Sequence, residues 1–163
     1  MKKHAILLFL CLLGAIVKPV SALAQSVKIS GEVSAPLELK PEDIAAFPQT
    51  QVNRKDKDGK DHTYTGVLLS VILQKAGVTM GKDLKGENLT KYAIVEASDG
   101  YQVVFALAEL DRDFTDRQII LATMVDGKPL APTDGPFRII VQDEKKPARC
   151  IKQVTGIKVA FAK

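Results

Sequence analysis

Three basic side chains fall close together near the C-terminus, in Thr133–Cys150 (TDGPFRIIVQDEKKPARC) and just beyond it: Arg138, Arg149 and Lys152. The planar fork of arginine suits phosphate or carboxylate, and lysine adds a point charge. Asp143, Glu144, Lys145 and Lys146 crowd the same stretch. By spacing alone the segment reads either as an anion site or as a solvated loop that neutralises itself. Cys150 sits among the same cations, which favour thiolate. A buried cysteine packed as a small hydrophobe is the commoner arrangement, and it is the one expected here.

Other chemistry is poorly supplied. Beyond residue 24 the chain has one histidine, His62, placed in a polar run beside a turn, and one cysteine, Cys150. A zinc site built from several His and Cys ligands is therefore excluded in practice, and a nucleophile–histidine pair would have to use His62. Asp56, Asp58 and Asp61 lack the spacing and closing glutamate of a calcium loop. No glycine-rich phosphate loop precedes a helix. No residue stands out as catalytic or metal-ligating.

The elements that must position the basic residues are mostly strands. Val27–Val33 alternates apolar and polar, as a half-buried strand does. Lys40–Phe47 has proline at a first helical position and early acids, and reads as a short helix stopped by Pro48. Thr50–Val52 and His62–Thr65 flank a solvated hairpin tip in which Asp58-Gly59 permits the turn. Gly66–Gly77 carries Leu68, Leu69, Ile72, Leu73 and Ala76 at helical steps, and Gly77 supplies the stop, so a helix is predicted there. Tyr92–Ala97 and Tyr101–Leu107 form a strand pair turning at Asp99-Gly100. A brief helical turn follows at Leu107–Leu110. Gln118–Val125, Phe137–Val141 and Ile157–Phe161 complete the strands. In Phe137–Val141, alternation sets Arg138 opposite Phe137, Ile139 and Val141. The fold class is α+β, a mixed, mainly antiparallel sheet system with a few short helices.

The N-terminus reads as an address. Met1–Lys3 is basic, Ala5–Val17 is apolar and Ala22-Leu23-Ala24 offers a cleavage site, the layout of a secretory signal peptide. The apolar run is short for a membrane span. Residues 1–24 are expected to be removed, leaving 25–163 as a single domain, periplasmic or secreted, with no membrane span. The 23 Lys and Arg then fall to 20 with the loss of Lys2, Lys3 and Lys18, against 19 Asp and Glu. No basic excess remains to suggest nucleic acid.

Several stretches, in order, resemble the sulfite oxidase family. Tyr64-Thr65-Gly66-Val67-Leu68-Leu69 with Ile72-Leu73 and Ala76-Gly77 is similar to its aromatic-x-Gly-Val-x-Leu segment. Ala97–Tyr101 with Phe105–Leu110 resembles a strand and turn of its short exported members. Ile120-Leu121-Ala122 with Asp126–Leu130, then Gly135–Val141, and then Ala148-Arg149-Cys150-Ile151-Lys152 resemble its later elements. The likeness spans Val27–Phe161 and implies the molybdopterin-binding oxidoreductase fold. It implies molybdopterin as the cofactor and makes Arg138, Arg149 and Lys152 its candidate contacts. One departure is decisive. The family's molybdenum-ligating cysteine precedes the aromatic-Gly-Val segment, and here that stretch, QTQVNRKDKDGKDHTY, has none. Asn53-Arg54 is a faint remnant of the family pattern, and Cys150 falls where the family often has serine. The expectation is a metal-free domain that binds an anionic small molecule or an exported protein partner without redox catalysis. The alternatives are a molybdopterin-dependent oxidoreductase with a redox partner, and a structural or interaction module.

Overall fold

Period-two burial governs most of the chain. The computed structural model describes residues 25–162; the expected signal peptide lies outside the described residues. The elements are β1 (Val27–Gly31), β2 (Leu37–Leu39), α1 (Pro41–Ala45), β3 (Thr50–Lys55), β4 (Asp61–Leu68), α2 (Leu69–Lys75), β5 (Lys91–Ala97) and β6 (Gln102–Ala106). They continue with α3 (Leu107–Leu110), β7 (Ile119–Val125), β8 (Lys128–Pro129), β9 (Arg138–Val141) and β10 (Val154–Phe161). One sheet has the order β2-β1-β10-β5-β6 and the other β3-β4-β7-β8, with β9 also paired to β7. Among the described strands only β1 and β10 run parallel, with Ile29 beside Ile157; every other pairing is antiparallel. This is the expected α+β fold.

The main core lies between the sheets. Val27 and Ile29 of β1, Ala93 and Val95 of β5, Ile157 and Val159 of β10, and Ile119 and Leu121 of β7 all point into it. A smaller cluster covers the other face of the second sheet: Val52, Tyr64, Ile120, Ala122, Leu130 and Ile140. β7 and β9 are thus buried on both faces. The parity expected for β9 holds, since Phe137, Ile139 and Val141 join the main core while Arg138 falls on the face of Ile140 and the smaller cluster.

The predicted helix over Gly66–Gly77 begins too early. Gly66, Val67 and Leu68 are the end of β4 and pair with Ala122, Leu121 and Ile120 of β7. The backbones approach so closely at a register shift that a Cβ on Gly66 would lie 2.1 Å from the carbonyl oxygen of Leu121. That approach selects glycine for sheet packing, and the apolar residues after it serve a strand before they serve a helix. α2 then buries Leu69, Ile72 and Leu73, followed by Ala76, and the chain turns at Gly77 with φ +72°.

Two short strands, β2 and β8, carry too few residues to show a period. Among the described residues no helix is long and apolar enough to cross a membrane.

Candidate functional site

The β3–β4 hairpin, the loop before β9 and the segment before β10 enclose a cleft of about 530 Å³. Its wall is built from the smaller core outward. Tyr64, inward on β4, is 2 % exposed. Its hydroxyl donates to the Asp56 carboxylate and accepts from Arg138 Nη1 at 2.7 Å. The Arg138 guanidinium also lies over the Tyr64 ring, 5.0 Å from its centre. Burial, and then the bond to Asp56, push the Tyr64 phenol far above its ordinary value, so it stays protonated and acts as a donor.

Arg138 Nη1 further meets Asp134 Oδ2 at 3.0 Å and Asp56 Oδ2 at 3.7 Å. Lys152 Nζ takes the other oxygen of the same aspartate, 2.6 Å from Asp134 Oδ1. Asp134 is held by its own backbone, its N–H bonding to Ala131 O and its carbonyl accepting from Gln153 N–H. Two of the three predicted basic residues therefore converge on one carboxylate at the cleft wall. Arg138 is buried and pre-oriented, while the Lys152 side chain is half exposed.

Arg149 goes elsewhere. Its Nε and Nη2 bind both oxygens of Glu144 at 2.9 Å, and Nη1 binds Glu109 Oε2 at 2.8 Å. Its guanidinium stacks on Phe105, 4.8 Å from the ring centre. The Glu144 bonds raise its already high pKa. Arg149 thus staples the loop after β9 to α3, and its neighbour Glu144 realises the self-neutralising arrangement for that part of the segment.

Cys150 is 4 % exposed. The N–H of Val141 points to its sulfur at 3.5 Å, and burial pushes the thiol up. It is a packed neutral thiol, as expected, and the surrounding cations do not outweigh its desolvation.

Five participants lie outside the site residues expected from the sequence. Asp56, expected at a solvated hairpin tip, is only 20 % exposed and binds Tyr64 and both nearby arginines. Tyr64 carries no signal beyond its place in a resemblance, and Asp134 carries none. Arg54 does carry one, since it shares the inward parity of Val52 on β3. Its Nη1 donates to the carbonyls of Val141 (3.2 Å) and Glu144 (3.1 Å), which ties the hairpin to the loop after β9. The Nε atoms of Arg54 and Arg138 are buried without a hydrogen-bond partner. His62, in its polar run beside the turn, lies at the cleft mouth between two carboxylates: Nδ1 is 2.6 Å from Asp126 and Nε2 is 3.1 Å from Asp58. Those bonds, Asp126 first, raise its pKa.

The cleft has the volume of a site for a mid-sized organic ligand. Arg138 and Lys152 supply the donors that a phosphate or carboxylate needs. Those residues fit the acid end of a pterin phosphate in kind. They offer no thiolate to molybdenum, because the sulfur of Cys150 is enclosed and neutral. Among the described residues no group of three or more His, Cys, Asp and Glu side chains is placed to hold a metal.

Comparison with known proteins agrees with this architecture. Residues 52–162 match the family described as oxidoreductase molybdopterin binding domain. The fold superimposes on the sulfane dehydrogenase SoxCD from Paracoccus pantotrophus with a TM-score of 0.64 and 22% sequence identity. The overlap covers 82% of this chain but 37% of that one. No curated protein matches the sequence. With more than half its length matched by the family, the chain belongs to the molybdopterin-binding oxidoreductase domain family.

Proposed function

We propose that this is an exported, periplasmic or secreted member of the family that binds an anionic small ligand in the Arg138–Lys152 cleft and carries out no molybdenum redox chemistry. The observation that carries the binding half is the convergence of Arg138 Nη1 and Lys152 Nζ on Asp134. An incoming phosphate or carboxylate can replace that aspartate on donors already aimed at one point. Preorganised donors spare a ligand the cost of ordering them. The lack of catalysis rests on sulfur: the segment before Tyr64 has no cysteine, and Cys150 is buried as a thiol.

Native mass spectrometry with metal analysis, on protein isolated from its own cellular compartment, tests both halves. The expected result is a chain free of molybdenum that retains an organic anion, lost on Lys152→Met. Molybdenum near one atom per chain, or oxygen-atom transfer by the isolated protein, supports instead the reading as a molybdopterin-dependent oxidoreductase with a redox partner.

A further inference from the structure

Most sheet edges of this fold are protected. β2 has three residues between Pro36 and Pro41. β3 points Gln51, Asn53 and Lys55 to solvent. β8 has two residues and ends in Pro129. The far side of β9 is taken, with Ile139 N–H bonded to Ile151 O (2.8 Å) and Val154 N–H to Phe137 O (3.0 Å). Short, charged or proline-bearing edges resist pairing with other chains.

β6, the end strand of the first sheet, has none of these devices. Its sequence is QVVFA, without charge, proline or glycine. Ala97 N–H bonds to Tyr101 O at 2.9 Å, which sets the ladder phase. In an antiparallel ladder bonded and non-bonded pairs alternate, so Val95–Val103 and Ala93–Phe105 are the bonded pairs with β5. The N–H and C=O of Gln102 and Val104 and the C=O of Ala106 therefore face the open edge. The Ala106 N–H bends to Glu109 Oε1 at 3.4 Å.

A second observation concerns exposed apolar side chains on β6 and on segments next to it in the chain or packed on α3. Leu89, Tyr101, Val104 and Phe114 are the large apolar side chains that are exposed among the described residues. Val104 is on β6 and Tyr101 adjoins it. Leu89 belongs to a 3₁₀ turn, Gly86–Thr90, that packs on α3, the helix following β6. Phe114 caps the turn after α3, its N–H bonding to Asp111 O.

We propose that β6 is a self-association edge and that its partner is β6 of a second copy of this chain, paired antiparallel about a two-fold axis at Val104. In that register Val104 meets Val104 of the second copy, and Gln102 meets Ala106 of the second copy. No like charges oppose each other within the strand. The N–H and C=O of Val104 pair with their counterparts, and Gln102 N–H pairs with Ala106 C=O of the second copy; Gln102 C=O stays open to water because the Ala106 N–H is held by Glu109. Isologous pairing of this sort closes after two chains, and it joins the two five-stranded sheets into one.

Sedimentation of the purified chain across its soluble concentration range tests this with two variants. Val104→Pro removes an N–H that makes no bond to β5, a substitution an edge position tolerates. Val104→Lys places a charge at the axis. We expect a dimer for the parent chain, weakened by roughly 30-fold in Val104→Pro through the two lost hydrogen bonds and abolished in Val104→Lys, with both variants keeping the parent circular dichroism. A parent chain that stays monomeric throughout, or a dimer that neither variant weakens, overturns the proposal. Hydrogen exchange on the parent gives a reading independent of variant folding. Amides of Gln102 and Val104 whose protection rises with concentration support the pairing, and amides that exchange freely at every concentration refute it.

Discussion

Tyr64→Phe is the most informative single change to the cleft wall. The ring is 2 % exposed and phenylalanine fills the same volume, so packing is preserved and only the hydroxyl is lost. That hydroxyl bonds two ionised partners, Asp56 and Arg138. A hydrogen bond to a charged group contributes about 1.5–3 kcal/mol, and a buried partner left unpaired loses more. Partial repair is available here. Arg138 Nη1 keeps Asp134 at 3.0 Å, and Asp56 keeps Arg54 Nε at 3.5 Å and Arg138 Nη1 at 3.7 Å. Allowing for that repair, we expect a net loss of about 2–3 kcal/mol, which for a domain of this size lowers Tm by roughly 8 °C. Urea unfolding followed by circular dichroism measures it, with an unchanged m-value showing that the unfolded reference has not moved. A loss below about 0.5 kcal/mol, the usual range for a surface substitution, would refute the reasoning, because it would mean that Arg138 is held in place without the tyrosine.

Three further outcomes follow from the geometry. Gly66→Ala forces a methyl group against the backbone of Leu121. It should cost about 3 kcal/mol or more, at the upper end for overpacking, and lower the urea midpoint. His62 has a raised pKa, so its contribution to stability is complete below its ordinary value near 6.5 and fades as the pH rises through the folded value. Asp126 and Asp58 have lowered values, through His62 and the Lys60 backbone respectively, and theirs fades as the pH falls below about 3.8. Thermal melts of His62→Gln should lose the neutral-to-alkaline slope that the parent shows. Cys150 should react with a thiol reagent only at the rate of local opening; labelling in the native state as fast as in urea would contradict its placement.

Alternation is legible in some strands and only in part of others: β3 and β10 each run three residues beyond the stretch expected from their pattern. β1, β5 and β6 stand within a residue or two of expectation, and the side of β9 that carries Arg138 follows from parity alone. The boundary between β4 and α2 is not legible. Val67, Leu68 and Leu69 satisfy a strand period and a helix period at once, and the deciding contact, Gly66 against β7, is made with a strand over fifty residues later. The site divides in the same way. Arg138 and Lys152 are identifiable as basic residues near one loop, but a one-dimensional spacing does not reveal which carboxylates meet them. Arg149 is close to Lys152 in the chain, with only Cys150 and Ile151 between them, yet it leaves the cleft for Glu144 and Glu109. Asp56 looks like one more acid in a polar turn because its partners, Tyr64 and Arg138, reach it through pairings of β4 with β3 and β7 and of β7 with β9.

The parallel contact of β1 with β10 has a temporal consequence. β10, made last among these elements, occupies the middle of its sheet, flanked by the first strand and by β5. Until Val154–Phe161 leaves the ribosome, β1–β2 and β5–β6 are two separate ribbons with a gap between them, and neither ribbon is stable alone. Completion of this half of the molecule is thus deferred until β10 has been made, and until then the apolar faces of both ribbons have no lasting cover.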